Sequence, residues 1–341
     1  MSEELEIDLR VFIIAEIGVN HDGKIDKAKQ LILGAKVAGA NAVKFQSYKA
    51  QELASSATPK VPYQLIGDKS PTHQSMLKKL ELSHENQKEL YEFSKSNGIT
   101  FMSTPYSLDE ARFLNSLGVS AFKVASADIV DLPLHDYIAS TSKVAIVSTG
   151  MASEKEISEV VSIYKKNKSK LILMHCTSEY PTPIDHAFMK RIKRIGELSG
   201  NIIGFSDHTV DNLAAVMSVA MGCRVIEKHI TINKEDDGPD HAASLNLAEF
   251  TEYCSEIRRA ELALGDGSFE RTPQESLMAA TSRKSLHLTK MLHRGEILKE
   301  EHLVLMRPGS GLFWSQRNDI IGKHAQYDMN KLHLISRKDF A

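Results

Sequence analysis

Short apolar runs alternate with stretches whose apolar residues recur every three to four positions along most of the chain. Val11 to Ala15 reads as a strand, and Ala28, Leu31, Ile32, Ala35 and Ala38 then follow at helical spacing. Ala42-Val43 begins a second strand. Residues 50–79 are less regular and contain Pro59, Pro62 and Pro71, so a long loop with a short helix is expected there. Leu90 and Phe93 mark a helix that Asn97-Gly98 ends, and residues 99–102 form a third strand. Ser107 is placed to cap a helix carrying Ala111, Phe113, Leu114 and Leu117, with Gly118 as its stop. Ala121-Phe122, residues 144–147 and residues 171–174 supply strands four to six. Ile202, Ile203 and Phe205 supply the seventh, a helical pattern follows on Leu213, Val216, Met217 and Ala220, and Val225-Ile226 open the eighth. A last helix is expected near 247–264, with Phe250, Ile257, Leu262 and Leu264 as its apolar residues. Eight strand–helix units of this size are the grammar of a (β/α)8 TIM barrel. A doubly wound open sheet is the alternative, but no Gly-rich dinucleotide turn follows the first strand.

The grammar changes after Leu264. A polar stretch begins at Gly265-Asp266-Gly267-Ser268, and short apolar pieces separated by turn residues run from Arg283 to Ala341. The expected organisation is a barrel over 1–265, a linker over 266–282 and a small β-rich domain over 283–341. A domain of that size is near the lower limit for independent stability, so it is expected to lean on the barrel or on a second subunit.

Each strand is followed by polar residues, and barrel enzymes build their sites at those ends. Glu16 follows the first strand, Lys44 and Gln46 the second, Thr104 the third, Lys123 and Ser126 the fourth, and Ser148 the fifth. His175 and Tyr180 follow the sixth, Ser206 and His208 the seventh, and Glu227 and His229 the eighth. Parallel strands joined by one helix would bring His208 and His229 to one edge. Two imidazoles there could hold a divalent metal, with carboxylates and water completing its shell. Taken singly, either histidine reads as an ordinary loop residue facing solvent. Lys44 and Lys123, with Thr104, Ser126 and Ser148, suit a phosphate or carboxylate. Glu16, Glu227 and Asp240 could move protons, and a metal could polarise a carbonyl. Together these favour addition of a phosphorylated or carboxylated carbon nucleophile to an aldehyde. A Schiff-base aldolase using Lys44 or Lys123 is the competing chemistry.

The 341 residues are 42% hydrophobic and 25% charged, with 42 basic and 44 acidic side chains and a formal charge of -2. That balance offers no general attraction to nucleic acid or to an anionic membrane. Lys165, Lys166, Lys168 and Lys170 form a local basic run read as a solvated turn. Cys176, Cys223 and Cys254 have no paired spacing, which fits a reducing cytoplasm. The opening residues are acidic without an apolar core, so no signal peptide is expected, and no apolar run approaches the roughly 20 residues of a membrane span.

The segments AEIGVNHDG, VKFQ, STP, FKVAS, VSTGM, HCTSEYPTP, GFSDHT and EKHIT…DGPDH, in this order, resemble the sialic acid synthase family of N-acetylneuraminate, legionaminate and pseudaminate synthases. The resemblance continues through KEEHLVLMRPGSG into that family's antifreeze-like (SAF, β-clip) domain. It implies condensation of phosphoenolpyruvate with an N-acetylhexosamine, either N-acetylmannosamine or a 2,4-diacetamido-trideoxyhexose. The product would be a nine-carbon 2-keto sugar acid, with phosphate released. The resemblance further implies that Lys44, Thr104, Lys123, Ser126, Ser148 and Ser206 hold phosphoenolpyruvate, with Gln46 nearby. His208 and His229 would bind a divalent metal, manganese first, with magnesium or cobalt as alternatives. Glu16 would handle a proton or stabilise a cation at carbon 2, while Glu227, Asp240 and Tyr180 would position the sugar. Arg307 would reach the sugar's N-acetyl group from the partner subunit of a domain-swapped homodimer. Some relatives carry Asn at the position of Ser178 and Glu at that of Asp128, and the segment 60–64 resembles the legionaminate branch. Related 3-deoxy-sugar-phosphate synthases share the barrel and donor without the C-terminal module. A non-catalytic carbohydrate-binding protein would have no use for the two lysines and two histidines.

Overall fold

The computed structural model describes residues 10–200 and 202–341. The acidic opening segment, residues 1–9, lies outside the described residues. The chain forms two compact units, Met1–Gly265 and Asp266–Ala341.

In the first unit, eight strands lie in parallel: β1 Phe12–Gly18, β2 Ala42–Ser47, β3 Thr100–Pro105, β4 Ala121–Val124, β5 Val144–Ser148, β6 Leu171–Cys176, β7 Ile203–Asp207 and β8 Val225–Thr231. Their order, β3-β2-β1-β8-β7-β6-β5-β4, leaves β3 and β4 at the two ends. These two also lie side by side, so the sheet curls into a nearly closed (β/α)8 barrel rather than an open doubly wound sheet.

Side chains alternate across a strand, and here the alternation separates two cores. Outward residues such as Ile13, Ala15, Val43, Phe45, Phe122, Val147 and Ile226 pack with the helices. Inward residues Phe12, Ile14, Ala42, Met102, Ala121, Ile146, Ile172, Met174 and Val225 form a plug inside the barrel. Two positions further along, the inward places belong to Glu16, Lys44, Thr104, Lys123, Ser148, Ser206 and Glu227. These residues therefore lie inside the strands, where the sequence reading had them in the loops that follow. Their backbone N–H and C=O groups belong to the ladder, so the barrel itself fixes their height.

Local signals behave as their chemistry dictates. Ser107 Oγ accepts from Glu110 N at the start of helix Leu108–Leu117, and Gly118 closes it at φ 93. Lys168 caps Glu154–Asn167 at φ 54, with Lys165 and Lys166 exposed beside it. One expected helix face is corrected, and another holds except near its end. In Leu213–Ala220 the buried residues are Ala214, Ala215, Ser218 and Val219, while Leu213 and Met217 are exposed. Small side chains let that helix sit close to the sheet, which turns the bulky ones outward. In Leu247–Leu264 the buried set is Phe250, Tyr253, Cys254 and Ile257, and Leu262 and Leu264 are exposed near the helix end.

The irregular stretch after β2 holds three short helices, Ala50–Leu53, Pro62–Gly67 and His73–Leu80. Pro62 sits in the first turn of the second, where its missing N–H costs nothing. Met76, Leu77 and Leu80 pack with Val19 and Tyr48. Gly238 N donates to Gly67 O at 2.7 Å, joining this loop to the one after β8. A Cβ on Gly67 would collide with the Gly238 carbonyl.

The second unit pairs Ser285–Leu288 antiparallel with Leu303–Met306 and otherwise relies on isolated bridges and turns. Its core is Leu286, Leu288, Leu292, Leu298, Leu303, Leu312, Ile320, Ala325, Met329, Ile335 and Phe340. Within the stretch expected as a linker, Pro273–Ser282 is a helix capped by Thr272. Cys176, Cys223 and Cys254 are buried free thiols. Among the described residues no helix is long and apolar enough to cross a membrane.

Gly204 tests the packing of the inner plug. A Cβ there would lie 2.7 Å from Val225 O and 3.0 Å from Met174 Cγ. Gly204→Ala is expected to destabilise the barrel by about 1–3 kcal/mol, read as a lower urea midpoint for the folded chain.

Candidate active site

Above the apolar plug the barrel interior turns charged. Lys44 Nζ lies 2.9 Å from Glu16 Oε2 and 3.8 Å from Glu227 Oε1, and Lys123 Nζ lies 3.7 Å from the same Glu227 oxygen. Lys44 donates to Thr104 Oγ1 at 3.0 Å, and Lys123 donates to Ser148 Oγ at 2.7 Å and to Val124 O at 3.2 Å. Ser206 Oγ donates to Glu227 Oε1 at 3.3 Å, and Gln46 Nε2 donates to Glu16 Oε1 at 3.3 Å. Glu227 Oε1 is thus shared by two ammonium groups and a hydroxyl. Its Oε2 is buried without a hydrogen-bond partner among the described residues.

Burial and neighbouring charge divide these groups. Burial pushes Glu16 up to about 7, against Lys44 and with help from Glu227. Burial also opposes the charge on Glu227, but Lys123, Lys44 and His208 outweigh it and hold that carboxyl below its usual range. Lys44 is raised because Glu16 and Glu227 overcome its burial, whereas burial prevails at Lys123 and lowers it.

Ser126 opens the turn after β4, and its Oγ accepts from Gly150 N at 3.0 Å. A side chain at Gly150 would strike both Ser126 Oγ and Ser178 Oγ, so the glycine lets two hydroxyls close in beside Ser148. Sequence reasoning missed Gly150. The signal was its place two residues after the strand-end Ser148.

His208 and His229 come together, with ring centroids 5.5 Å apart. His208 Nδ1 lies 2.8 Å from Thr177 O and 3.7 Å from Cys176 Sγ. The carbonyl fixes the proton on Nδ1 and leaves Nε2 as the donor atom. His229 Nδ1 is buried without a hydrogen-bond partner among the described residues, and Asp240 Oδ2 is 3.7 Å away. Burial first, then the nearby cations, keep His229 well below the ordinary histidine range, so it is neutral near pH 7. Burial pushes Asp240 up to about 6. The Tyr180 ring lies 4.0 Å from that of His208 and 5.8 Å from that of His229.

Two polar residues at the ends of β6 and β7 point elsewhere, His175 from the sequence reading and its counterpart Asp207. His175 stacks on Phe205 outside the barrel, and its Nε2 lies 2.7 Å from Ala187 O. Asp207, the carboxylate next to His208, faces outward and binds Lys228 at 3.1 Å. Both occupy the wrong parity for the interior. Arg307 is exposed in the second unit, where Ser285 Oγ donates to Pro308 O at 2.5 Å and Gly309 N to Ala280 O at 2.8 Å. Asp22, Asp236 and His241 also cluster closely enough to hold a cation. Lys27 Nζ already sits 2.6 Å from both aspartates, so an ammonium supplies the positive charge there.

The ion network makes a pH-dependent prediction. Lys44→Met removes the cation that opposes the rise of Glu16 and helps hold Glu227 down, so Glu16 climbs further above the ordinary 4.5 and Glu227 rises from its lowered position. A carboxyl raised in the folded state supports folding while protonated and loses that support as pH rises. The variant should therefore approach wild-type stability near pH 5 and lose about 3–5 kcal/mol at pH 8, measured by urea unfolding at the two values.

The profile of the NeuB family matches residues 31–269. The chain is 39% identical to N,N'-diacetyllegionaminic acid synthase of Campylobacter jejuni, over 96% of this chain and 99% of that one. It is 34% identical to a pseudaminic acid synthase of the same species, over 98% and 97% of the two chains. Among solved structures, the N-acetylneuraminic acid synthetase of Leptospira borgpetersenii, in complex with citrate, superposes with a TM-score of 0.72 at 32% identity, covering 81% of this chain and 95% of that one. With Lys44, Lys123, His208, Glu227 and His229 of its barrel mouth inside the matched region and its similarity running through nearly the whole length, this chain belongs to the NeuB family.

Proposed function

We propose that this chain is a transferase of carbohydrate biosynthesis that joins phosphoenolpyruvate to an N-acetylhexosamine, forming a nine-carbon 2-keto sugar acid and phosphate. The observation that carries the reading is the stacking, in one barrel mouth of a NeuB-family chain, of buried Lys44 and Lys123 beneath the converging His208 and His229. The relatives named above are synthases of sugar acids of this kind.

Lys44, Lys123 and the hydroxyls of Thr104, Ser126, Ser148 and Ser206 bind the phosphate and carboxylate of the donor. Carbon 3 of the donor attacks the sugar aldehyde, which leaves cationic character at carbon 2. The Glu16 carboxylate, held by Gln46 and Lys44, faces that carbon and takes a proton from the water that adds to it. The adduct then expels phosphate by cleavage of the C–O bond. Glu227 Oε2, Asp240 and Tyr180 orient the open-chain sugar, with the unpaired Glu227 oxygen free to accept from a hydroxyl.

The residues also fit a divalent metal. The buried, neutral His229 has an orphaned nitrogen, and the His208 tautomer leaves Nε2 available. An ion on these two histidines, manganese being the one expected, would polarise the aldehyde oxygen. We further assign the second unit to the SAF type, with Arg307 serving a sugar bound to a second copy of the chain in a homodimer. A Schiff-base aldolase is the second reading, because the lowered Lys123 is the better amine nucleophile.

Three measurements test these assignments. Purified protein given phosphoenolpyruvate and a panel of N-acetylhexosamines, including 2,4-diacetamido-trideoxyhexoses, should release phosphate with at least one acceptor. Chelator should stop turnover and manganese restore it. Indifference to chelator, together with borohydride trapping of a keto substrate on Lys123, would favour the aldolase. Because Glu16 is pushed up to about 7 and acts as its carboxylate, kcat/KM should rise as pH climbs through about 7 and level off above it. Glu16→Gln should lose about 10²- to 10⁴-fold in rate together with that rise, and a pH-rate profile of both proteins checks it.

A further inference from the structure

Directly behind the two histidines, on the outer face of the same strands, lies a buried polar cluster that the proposed chemistry does not use. Asp207 and Lys228 are each 1% exposed and stand opposite one another in the β7–β8 register. Their neighbours in sequence, His208 and His229, project to the other side. Every acceptor site of the aspartate is engaged. Oδ1 accepts from Thr209 N at 2.8 Å and from Thr209 Oγ1 at 2.7 Å. Oδ2 accepts from Lys228 Nζ at 3.1 Å and from Tyr253 OH at 2.9 Å. Lys228 also donates to Thr209 O and lies 5.5 Å from the centre of the Tyr253 ring. Tyr253 is fully buried on helix Leu247–Leu264, so the cluster is sealed from solvent.

We propose that Asp207, Lys228 and Tyr253 are positioning residues that set the spacing of His208 and His229 for a divalent cation. The proposal rests on the metal assignment made for these histidines. The physical argument is one of leverage. His208 is bracketed by Asp207 and Thr209, which bind each other, and its carbonyl accepts from Thr182 N at 2.8 Å. His229 follows Lys228, whose ammonium crosses from β8 to β7 at the same height. Its other neighbour is also held, since Asn20 Nδ2 donates to Ile230 O at 2.9 Å. A change in the ion pair therefore moves one histidine relative to the other, and a metal responds steeply to its ligand geometry. A cluster that only fastened the helix to the barrel would affect every part of the mouth alike.

The test compares two affinities in one protein. Manganese binding to metal-free protein is read from the six-line electron paramagnetic resonance signal of the free ion, and phosphoenolpyruvate binding to the same metal-free protein by calorimetry. Asp207→Asn/Lys228→Met removes both charges together and leaves no buried ion unpaired. This variant is expected to bind manganese about 10- to 100-fold more weakly and to keep its phosphoenolpyruvate affinity. If it does not fold, Tyr253→Phe, which removes one hydrogen bond from Asp207, carries the test and should show a smaller loss confined to manganese. Wild-type manganese affinity in a folded variant overturns the proposal, and so does an equal loss of both ligands. Failure of the wild-type protein to bind manganese removes the metal assignment itself, and this inference with it. That outcome is distinct from wild-type binding that the variants leave unchanged.

Discussion

The structure turns on the burial of two ammonium groups and two carboxylates inside one barrel. Taking an ion out of water costs several kcal/mol, and only close opposite charge with satisfied hydrogen bonds offsets it. Lys44 and Lys123 meet that condition through Glu16, Glu227 and the hydroxyls of Thr104 and Ser148. No single pair suffices, since Glu227 Oε1 serves both lysines at once. The four strands that carry these residues, β1, β2, β4 and β8, are therefore locked in height relative to one another. The same mutual dependence separates two chemically identical glutamates. Glu16 is pushed up to about 7 while Glu227 is held below the ordinary range. One carboxyl is thereby poised near neutrality and the other stays charged.

The alternation of side chains extends this constraint to the rest of the fold. On the inner face β1, β2, β4 and β8 run from apolar to ionic in a single step of two residues, as from Ile14 to Glu16 and from Val225 to Glu227. The outer face stays apolar against the helices at most positions. The exceptions on β7 and β8 sit next to the two histidines. Asp207 and Lys228 satisfy each other there beneath Tyr253, so the outer face holds a buried pair of its own without access to the mouth. Above this level the loops after β2 and β8 meet through the Gly67–Gly238 hydrogen bond, a contact that only residues without a side chain permit.

The sequence showed the barrel because its strands and helices have different apolar periods, and it showed the polar strand ends because eight of them recur in phase. Parity was present in the same letters but harder to use. His175 and Asp207 look like mouth residues by position. Counting in twos from Met174 and Gly204 places them outside, a step that needs the strand boundary to within one residue. The helix face at 213–220 differs from its apolar pattern for a related reason, while at 247–264 Phe250 and Ile257 are buried as expected and only Leu262 and Leu264 near the end are exposed. At 213–220 the large apolar residues Leu213 and Met217 look like the buried ones, whereas close packing on the sheet selects Ala214, Ala215 and Ser218. The second unit carried little periodic signal, because turns and single bridges hold most of it together. Gly150 showed itself only by its place two residues after Ser148, since the close approach of Ser126 and Ser178 exists only in three dimensions.

The vertical arrangement of the mouth has a consequence for the proposed reaction. His208 and His229 lie two residues beyond Ser206 and Glu227 on the same strands, or roughly 6–7 Å further out at the rise of an extended chain. Under the proposed function a donor gripped by the lysines would rest on the floor of the mouth, and an acceptor held by the histidines, Asp240 and Tyr180 would lie over it. The floor can be reached only while the upper level is open. Such a site would fill from the bottom, with the anion first and the sugar second. In that order the upper guest would cover a carbon that the lysines had already oriented. The ion pairs that hold the charged floor inside an apolar barrel thus lie one level below the histidines, so the anion site of the proposed reaction is the deeper of the two.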